Sequence, residues 1–175
     1  IVDIGCGIGR LTEALKSEPI QGYLGTDVIS EVLDEARAVV EGDERFRFRH
    51  AAGFSIDEAD AVADIVCAFS LVTHLLDEQV YAYFREAARV LKPGGVAVIS
   101  FLDFSLPRHR ERFTEFASGT KNEGDIVFKF FEKSTLSFFA DESGMDTIEF
   151  QDAYTTSPAK YPNQRLPDGS TSSSV

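Results

Sequence analysis

The chain has 175 residues, of which 29 are acidic and 17 basic, and its formal net charge is −12. A surface with this excess of negative charge repels phosphate backbones, which argues against a nucleic-acid partner. The sequence contains no apolar run as long as a membrane span and no secretory signal, which argues against a membrane or an exported protein. The length predicts one domain with a sizeable core.

The cysteine content predicts neither a disulfide framework nor a metal site. Cys6 and Cys67 are the two cysteines, and their spacing is not that of metal ligands. Without an export signal, two reduced thiols and a cytoplasmic location are expected.

Strands and helices are predicted to alternate from the first residue. Ile1–Ile4 is a short apolar run that ends in glycines, which indicates a buried strand. Apolar residues at helical spacing predict helices over Arg10–Ser17 and Ile29–Val40, with a second strand at Gly22–Asp27 between them. Phe46–Ala51 alternates apolar and basic residues, as an edge strand with one exposed face does.

The middle of the chain continues the alternation. Ala63–Ser70 is almost wholly apolar and predicts a central strand. A helix follows, which we expect to be capped by Asp77 and to reach Leu91. Lys92–Gly95 should stop that helix and turn the chain, and Val96–Phe104 should form another central strand. Such alternation is typical of a parallel sheet with right-handed crossovers.

The last third has weaker patterns. Helices are predicted over Pro107–Ser118 and Lys133–Ser143, and a strand over Thr147–Gln151. The end of the chain is rich in Pro and Ser, as loops are. The predicted organisation is therefore a core over residues 1–156 and a loop-like tail over 157–175.

A glycine-rich segment follows the first predicted strand and precedes a helix. Glycines at this place let the backbone approach a ligand closely, although a tight turn without a ligand has the same pattern. The nicotinamide fingerprint requires a third glycine at position 10, where this chain has Arg10. Asp3, two residues before Gly5, would also repel a pyrophosphate.

Asp27 ends the second predicted strand, one crossover after the glycines. An acidic residue at that place can accept hydrogen bonds from both hydroxyls of a ribose. The alternative is a cap for the helix that begins at Ile29, because Asp is a favoured cap. The preceding glycine segment favours the ribose interpretation.

Four segments together resemble class I methyltransferases that use S-adenosylmethionine (SAM): DIGCGIGRL from Asp3, TDV from Thr26, FSLVTHL from Phe69 and VLKPGGVAVISF from Val90. They follow the order and spacing of that family, across about residues 1–104. The resemblance implies a Rossmann-like, doubly wound α/β fold with a mostly parallel seven-stranded sheet. SAM would lie across the ends of the first, second and fourth strands, where a carboxylate favours its sulfonium and ammonium groups.

The family also has helices before its first strand and an antiparallel strand beside the last one predicted here. This chain begins inside a strand at Ile1, and its tail lacks apolar alternation. We therefore expect pieces of the fold to be missing at both ends.

The resemblance also implies which residues bind the cofactor. Residues of the glycine segment would line the methionine and ribose, Asp27 would bind the ribose, and Val28 would cover the adenine. The acidic residue that usually meets the adenine is absent near Ala52, so backbone groups of Gly53 and Phe54 are expected to replace it. The full set is Asp3, Gly5, Cys6, Gly7, Asp27, Val28, Gly53, Phe54, Phe69 and Ser70.

Methyl transfer needs an in-line nucleophile, and it needs a base only when the acceptor holds its proton. His74 and His109 are the candidate bases, together with Asp103. A structural role for His74 at the start of the next helix is the alternative. The cluster Arg108-His109-Arg110 points to an anionic acceptor, or else to a solvated helix face.

The predicted activity is therefore methyl transfer from SAM to an oxygen, nitrogen or carbon of a small molecule. Ser70–Thr73 lacks the Asn/Asp-Pro-Pro-aromatic segment of nucleic-acid amino-methyltransferases. Two alternatives are a SAM-binding protein without catalysis and a nicotinamide-dependent oxidoreductase, and Asp3 and Arg10 argue against the second.

Overall fold

The computed structural model describes residues 1–118 and 128–152, so the whole of the predicted tail, residues 157–175, lies outside the described residues. A short 3₁₀ turn at Val72–His74 follows the fourth strand. The other elements, in chain order, are β1 (Val2–Ile4), α1 (Arg10–Leu15), β2 (Tyr23–Asp27), α2 (Ser30–Val39), β3 (Phe46–His50), β4 (Ala63–Ala68), α3 (Asp77–Val90), β5 (Leu91–Ile99), β6 (Leu102–Asp103), α4 (Pro107–Ala117), β7 (Phe130–Phe131) and α5 (Lys133–Glu142).

Five parallel strands form the main sheet, in the order β3-β2-β1-β4-β5. Asp3 of β1 is opposite Gly25 of β2 on one side and Cys67 of β4 on the other. The strand order therefore reverses between β1 and β4. The predicted doubly wound α/β fold is confirmed, and ligands of such folds bind at the carboxyl ends of the strands beside this reversal.

The prediction of a second central strand over Val96–Phe104 is wrong in two respects. Within the described residues β5 is an edge strand, and Val96 and Val98 are each 41% exposed. The chain also leaves the sheet after Ile99, and β6 pairs with β7 in a separate two-stranded sheet. An apolar run shows that a segment can be buried, but its neighbours in the sheet decide whether it is central.

The segment Lys92–Gly95 is not a turn before the strand but a bulge within β5. Leu91 is opposite Ala63 and Val96 is opposite Ile65, so four residues of β5 face Asp64 alone. Gly94 adopts a left-handed φ of 82° in this bulge, a conformation that glycine tolerates. The helix α3 nevertheless ends at Val90, one residue before the predicted end.

The helix predictions in the last third are confirmed to within two residues, but the predicted strand over Thr147–Gln151 is wrong. In the described part of the chain no strand pairs with this segment, and Ile148 is 80% exposed. Phe150 instead packs its ring against Phe101. Strand formation depends on a partner with free backbone groups, which a local pattern does not reveal.

The core lies on both sides of α3. Ala87 and Val90 pack on the sheet against residues such as Val66, whereas Val80 and Phe84 face α5 and Phe131. The cap of α3 is Leu76 rather than Asp77, and the side chain of Gln79 accepts the backbone N–H of Leu76 at 2.9 Å. None of the helices in the described ranges combines the length and apolar character that crossing a bilayer requires.

Candidate cofactor-binding site

The loop from Gly5 to Gly9 lies at the carboxyl end of β1, beside the strand reversal. Gly5, Gly7 and Gly9 have φ values of 70°, 54° and 86°, all in the left-handed region that favours glycine. A Cβ on Gly9 would lie 3.0 Å from the Cα of Ala36, so this glycine lets α2 pack closely on the loop. A Cβ on Gly7 would meet no atom within 4 Å, which leaves open space for a ligand there.

Asp27 holds this loop from the end of β2. Its Oδ2 accepts the backbone N–H of Gly7 at 2.9 Å, and its Oδ1 accepts that of Ile29 at 3.0 Å. The second bond stabilises the turn into α2, so the local role considered from the sequence is present. Each carboxylate oxygen can accept more than one hydrogen bond, so the side chain also retains capacity for ribose hydroxyls.

Asp3 lies beneath the loop rather than on its surface. Its side chain is 3% exposed, and its Oδ2 accepts the hydroxyl of Tyr23 at 2.6 Å. The same hydroxyl accepts the Oγ1–H of Thr12 at 3.1 Å, which completes a buried chain of three polar groups. Burial, together with the nearby charge of Asp27, raises the pKa of Asp3 to about 6, although the bond from Tyr23 opposes the rise.

Sequence analysis missed Tyr23, because a tyrosine in an apolar strand gives no signal of its own. Its ring is completely buried, and a buried tyrosine hydroxyl usually requires a hydrogen-bond partner. That requirement was the one available hint that β2 supports a polar group at the glycine loop.

We expect the substitution Tyr23→Phe to lower the free energy of unfolding by about 1–3 kcal/mol, because Asp3 and Thr12 lose a buried partner. Urea unfolding at pH 7 measures the difference. Tyr81→Phe is the matched control, since the ring of Tyr81 packs on Phe139 at 5.6 Å and is half-buried. Equal effects of the two substitutions would contradict the structural role of the Tyr23 hydroxyl.

Cys6 contributes its backbone to the loop, and its thiol donates to the carbonyl of Gly7 at 3.7 Å and packs toward β2. Its N–H donates to the carbonyl of Thr26 at 3.0 Å. A Cβ on Gly25 would lie 2.9 Å from Sγ of Cys6, so the thiol fills space that only a glycine in β2 leaves free. Burial and the charges of Asp3 and Asp27 raise the pKa of this thiol to about 12.

Both cysteines are free thiols, as predicted, and the structure also shows that both are buried. Burial also raises the pKa of Cys67, to about 11. We therefore expect a disulfide-exchange reagent at pH 8 to react with neither thiol in the folded protein and with two thiols after denaturation. Rapid modification of the native protein would show that one of them is more accessible than the structure indicates.

Val28, Gly53 and Phe54, predicted to border the adenine, follow two neighbouring strands. The N–H of Ala51 donates to the carbonyl of Asp27 at 2.8 Å and joins the ends of β3 and β2. Val28 is 63% exposed and Phe54 38% exposed, so both present apolar surface at this edge of the sheet. These apolar surfaces suit a flat apolar ring.

At the end of β4, Ser70 has a left-handed φ of 57°, an uncommon backbone conformation for a residue other than glycine. Its N–H donates to Oγ of Ser100 at 2.7 Å, which ties the ends of β4 and β5 together. Phe69 beside it is 42% exposed. Backbone outliers of this kind cluster at functional sites, where surrounding contacts maintain them.

Of the three candidate bases, Asp103 is 3% exposed with Lys133 at 3.5 Å, and the two histidines differ in their surroundings. His74 ends the 3₁₀ turn after β4, with its ring edge-on to Phe128 at 5.1 Å. Nδ1 of His109 lies 2.8 Å from the backbone nitrogen and 3.1 Å from the carbonyl oxygen of Asp103, so the backbone of Asp103 engages this ring nitrogen in either tautomer. Burial lowers the pKa of His109. This arrangement favours a structural role for His109 and leaves His74 as the better candidate.

The cationic cluster is partly neutralised. Arg108 makes a two-pronged ion pair with Asp152, in which Nη1 donates to Oδ2 at 2.9 Å and Nη2 contacts Oδ1. Arg110, in contrast, is exposed. The pairing of Arg108 removes much of the support for an anionic acceptor.

Comparison with known proteins agrees with this geometry. A family model described as a methyltransferase domain matches residues 1–95. A ubiquinone biosynthesis O-methyltransferase from Azorhizobium caulinodans is 26% identical over 160 residues, which cover 78% of this chain. The chain spans 60% of the length of that curated relative.

Solved structures show the same fold. A SAM-dependent methyltransferase from Methanosarcina mazei superimposes with a TM-score of 0.70 at 19% identity, over 97% of this chain and 86% of that protein. Magnesium protoporphyrin IX methyltransferase from Synechocystis, with S-adenosylhomocysteine bound, gives a TM-score of 0.66 at 15% identity, over 85% of this chain and 64% of the other. Since the family model covers more than half of its length, the chain belongs to the class I SAM-dependent methyltransferase family.

Proposed function

We propose that the chain is the SAM-binding and catalytic core of an enzyme that methylates a small molecule. One observation carries the proposal: the carboxylate of Asp27 at the end of β2 lies within hydrogen-bond distance, 2.9 Å, of the N–H of Gly7 in the glycine loop. An acceptor for ribose hydroxyls and a loop open to a ligand thus occur at one edge of the sheet, beside the strand reversal.

The charges at this edge favour SAM over a dinucleotide. Asp3 and Asp27 put two carboxylates behind and beside the loop, and no basic residue occurs between Asp3 and Gly9 to offset them. Such a site repels a pyrophosphate and attracts a sulfonium or an ammonium group. The oxidoreductase alternative therefore has less support than methyl transfer.

The residues of the chain position the two reactants. The glycine loop and Asp27 would hold SAM, which would supply an electrophilic methyl group to the acceptor, and Phe69 and Ser70 border the place where the acceptor must approach. Positioning of this kind can supply ~7–11 kcal/mol of the barrier. For a hydroxyl acceptor, we propose that His74 takes up the proton.

A small-molecule acceptor is supported best. The relatives named above act, by their names, in ubiquinone biosynthesis and on magnesium protoporphyrin IX. The net charge of −12 disfavours nucleic acid, and the ion pair of Arg108 with Asp152 leaves Arg110 as the more accessible cation of the cluster for an anionic acceptor. The two free thiols suit a reducing compartment, and we propose the cytoplasm.

Calorimetric titration with SAM, followed by turnover with methyl-labelled SAM and a panel of phenols, amines and carbon acids, tests the proposal. Saturable SAM binding that NADH does not compete away, together with label in an acceptor, is the expected result. Binding without transfer to any acceptor would favour the non-catalytic alternative. Competition by NADH with no SAM binding would favour the oxidoreductase.

A further inference from the structure

Residues 51–62, which we call the adenine-side loop, connect β3 to β4 without a helix or strand of their own. The loop carries Gly53 and Phe54, the residues expected at the adenine. Ordering a loop of this length costs conformational entropy that its own backbone bonds do not offset. Contacts from elsewhere in the fold must therefore hold it in place.

Exposed arginines of β3 form ion pairs with Glu58 and Asp57 of this loop, and one face of α3 supplies further contacts, which are more buried. Tyr83, Glu86 and Arg89 follow each other at intervals of three residues, which places them on the same side of the helix. The hydroxyl of Tyr83 donates to the carbonyl of Gly53 at 3.5 Å, and its ring meets that of Phe54 edge-on at 5.5 Å. Oε2 of Glu86 accepts the N–H of Ile56 at 2.8 Å.

Arg89 binds the loop with both terminal nitrogens. Nη2 donates to the carbonyl of Ile56 at 2.8 Å, and Nη1 donates to the carbonyl of Glu58 at 2.8 Å. Nη1 also reaches Oδ1 of Asp60 at 2.7 Å. The remaining donors go to Glu86, at 2.9 Å from Nε and 2.7 Å from Nη2.

Glu86 and Arg89 together are suited to hold the adenine-side loop in one conformation. A guanidinium presents five donors in a rigid plane, and here each of the five has an acceptor. Arg89 lowers the pKa of Glu86 through its hydrogen bonds, so Glu86 stays charged and continues to accept the Ile56 amide. The anchored residue Ile56 is 3% exposed and lies two positions after Phe54.

We infer that Arg89, together with Glu86, is a positioning residue for the cofactor: it holds the adenine-side loop so that Gly53 and Phe54 are already in place when the adenine arrives. This inference rests on the proposed SAM-binding function. Arg89 has no contact with the glycine loop or Asp27 among its hydrogen bonds, so it acts through Ile56. A preorganised loop binds its ligand more tightly because less entropy is lost on binding.

Calorimetric titration of the full chain with SAM and, separately, with adenosine tests the inference. Arg89→Met should weaken the binding of both ligands by about tenfold, a change of about 1.4 kcal/mol. Adenosine is the informative probe, because it contains the adenine and ribose but no cationic group. Arg89→Lys should give an intermediate loss, since an ammonium cannot reach all of these acceptors at once.

Arg45→Met is the matched control. Arg45 also makes several bonds, to Asp43 and to the carbonyls of Lys16 and Glu18, but it lies at the opposite, amino end of β3. Both variants should lose stability in urea unfolding, whereas Arg45→Met should keep adenosine and SAM affinity within about twofold of the original chain.

These measurements distinguish failure of the proposed function from failure of the positioning role of Arg89. An original chain that binds neither SAM nor adenosine would overturn the proposed function. An original chain that binds both, with Arg89→Met no weaker than Arg45→Met, would overturn the positioning role and leave the proposed function intact.

Discussion

Replacing Asp27 by Ala should weaken SAM binding by at least tenfold, which corresponds to ~1.5–3 kcal/mol or more. The substitution removes the acceptor proposed for the ribose hydroxyls. It also releases the N–H groups of Gly7 and Ile29, at 2.9 and 3.0 Å, so the glycine loop loses its attachment to β2. Calorimetric titration at pH 7 measures the affinity, and circular dichroism checks that the variant is folded.

Asp34→Ala is the control for the loss of one negative charge. Asp34 is 78% exposed on α2 and pairs with Arg37 one turn away, so its removal should change the SAM affinity by less than about twofold. Asp27→Asn should lie between the two, because an amide oxygen accepts hydrogen bonds but carries no charge. Unchanged affinity in Asp27→Ala would refute the assignment of the ribose to this residue.

The buried carboxylate of Asp3, beneath the glycine loop, should make the free energy of unfolding depend on pH. The pKa of Asp3 in the folded chain is about 6, whereas an aspartate in an unfolded chain titrates near ~3.9. The folded state thus binds this proton more tightly. The resulting stabilisation is fully present below about pH 4 and is lost as the pH rises through about 6, on the order of 2–3 kcal/mol in all.

Asp3→Asn removes this titration and can keep an acceptor for the Tyr23 hydroxyl. We therefore expect the variant to gain stability relative to the original chain as the pH rises from 4 to 7. Urea unfolding at pH 4, 5.5 and 7 measures the difference. A stability difference that does not change with pH would contradict the raised pKa of Asp3.

The same residue links pH to cofactor binding. Since SAM is cationic, it should bind more tightly once Asp3 has lost its proton, so the affinity of the original chain should rise through about pH 6. In Asp3→Asn the affinity at pH 7 should be lower and nearly independent of pH. On this account Asp3 lowers stability at neutral pH but strengthens the attraction for the cofactor.

Local patterns were sufficient for the glycine loop, for Asp27 and for the alternation of strands and helices. A tight strand–helix junction and an amphipathic period are properties of consecutive residues, so they can be recognised before any tertiary contact is known. The helix ends in the last third were accurate for the same reason. The strand predicted at Thr147–Gln151 was wrong because pairing requires a neighbour that no local pattern specifies.

Contacts between distant residues account for the rest of the site. Tyr23 meets Asp3 across 20 residues, Arg89 meets Ile56 across 33, and Arg108 meets Asp152 across 44. The first contact belongs to a buried Asp3, and the second joins α3 to the adenine-side loop. The third neutralises Arg108, one of the two arginines in the cationic cluster.

The amino-acid sequence by itself determined the family, the parallel α/β fold and the position of the glycine segment and Asp27 at the ends of the first two strands, since these depend on short motifs and their spacing. Only the tertiary structure decided what surrounds each motif. Burial raises the pKa of Asp3, the backbone of Asp103 engages Nδ1 of His109, and five acceptors surround the guanidinium of Arg89. Solvent exposure and hydrogen-bond partners arise only when segments far apart in the chain pack together, which is why no local pattern contains them.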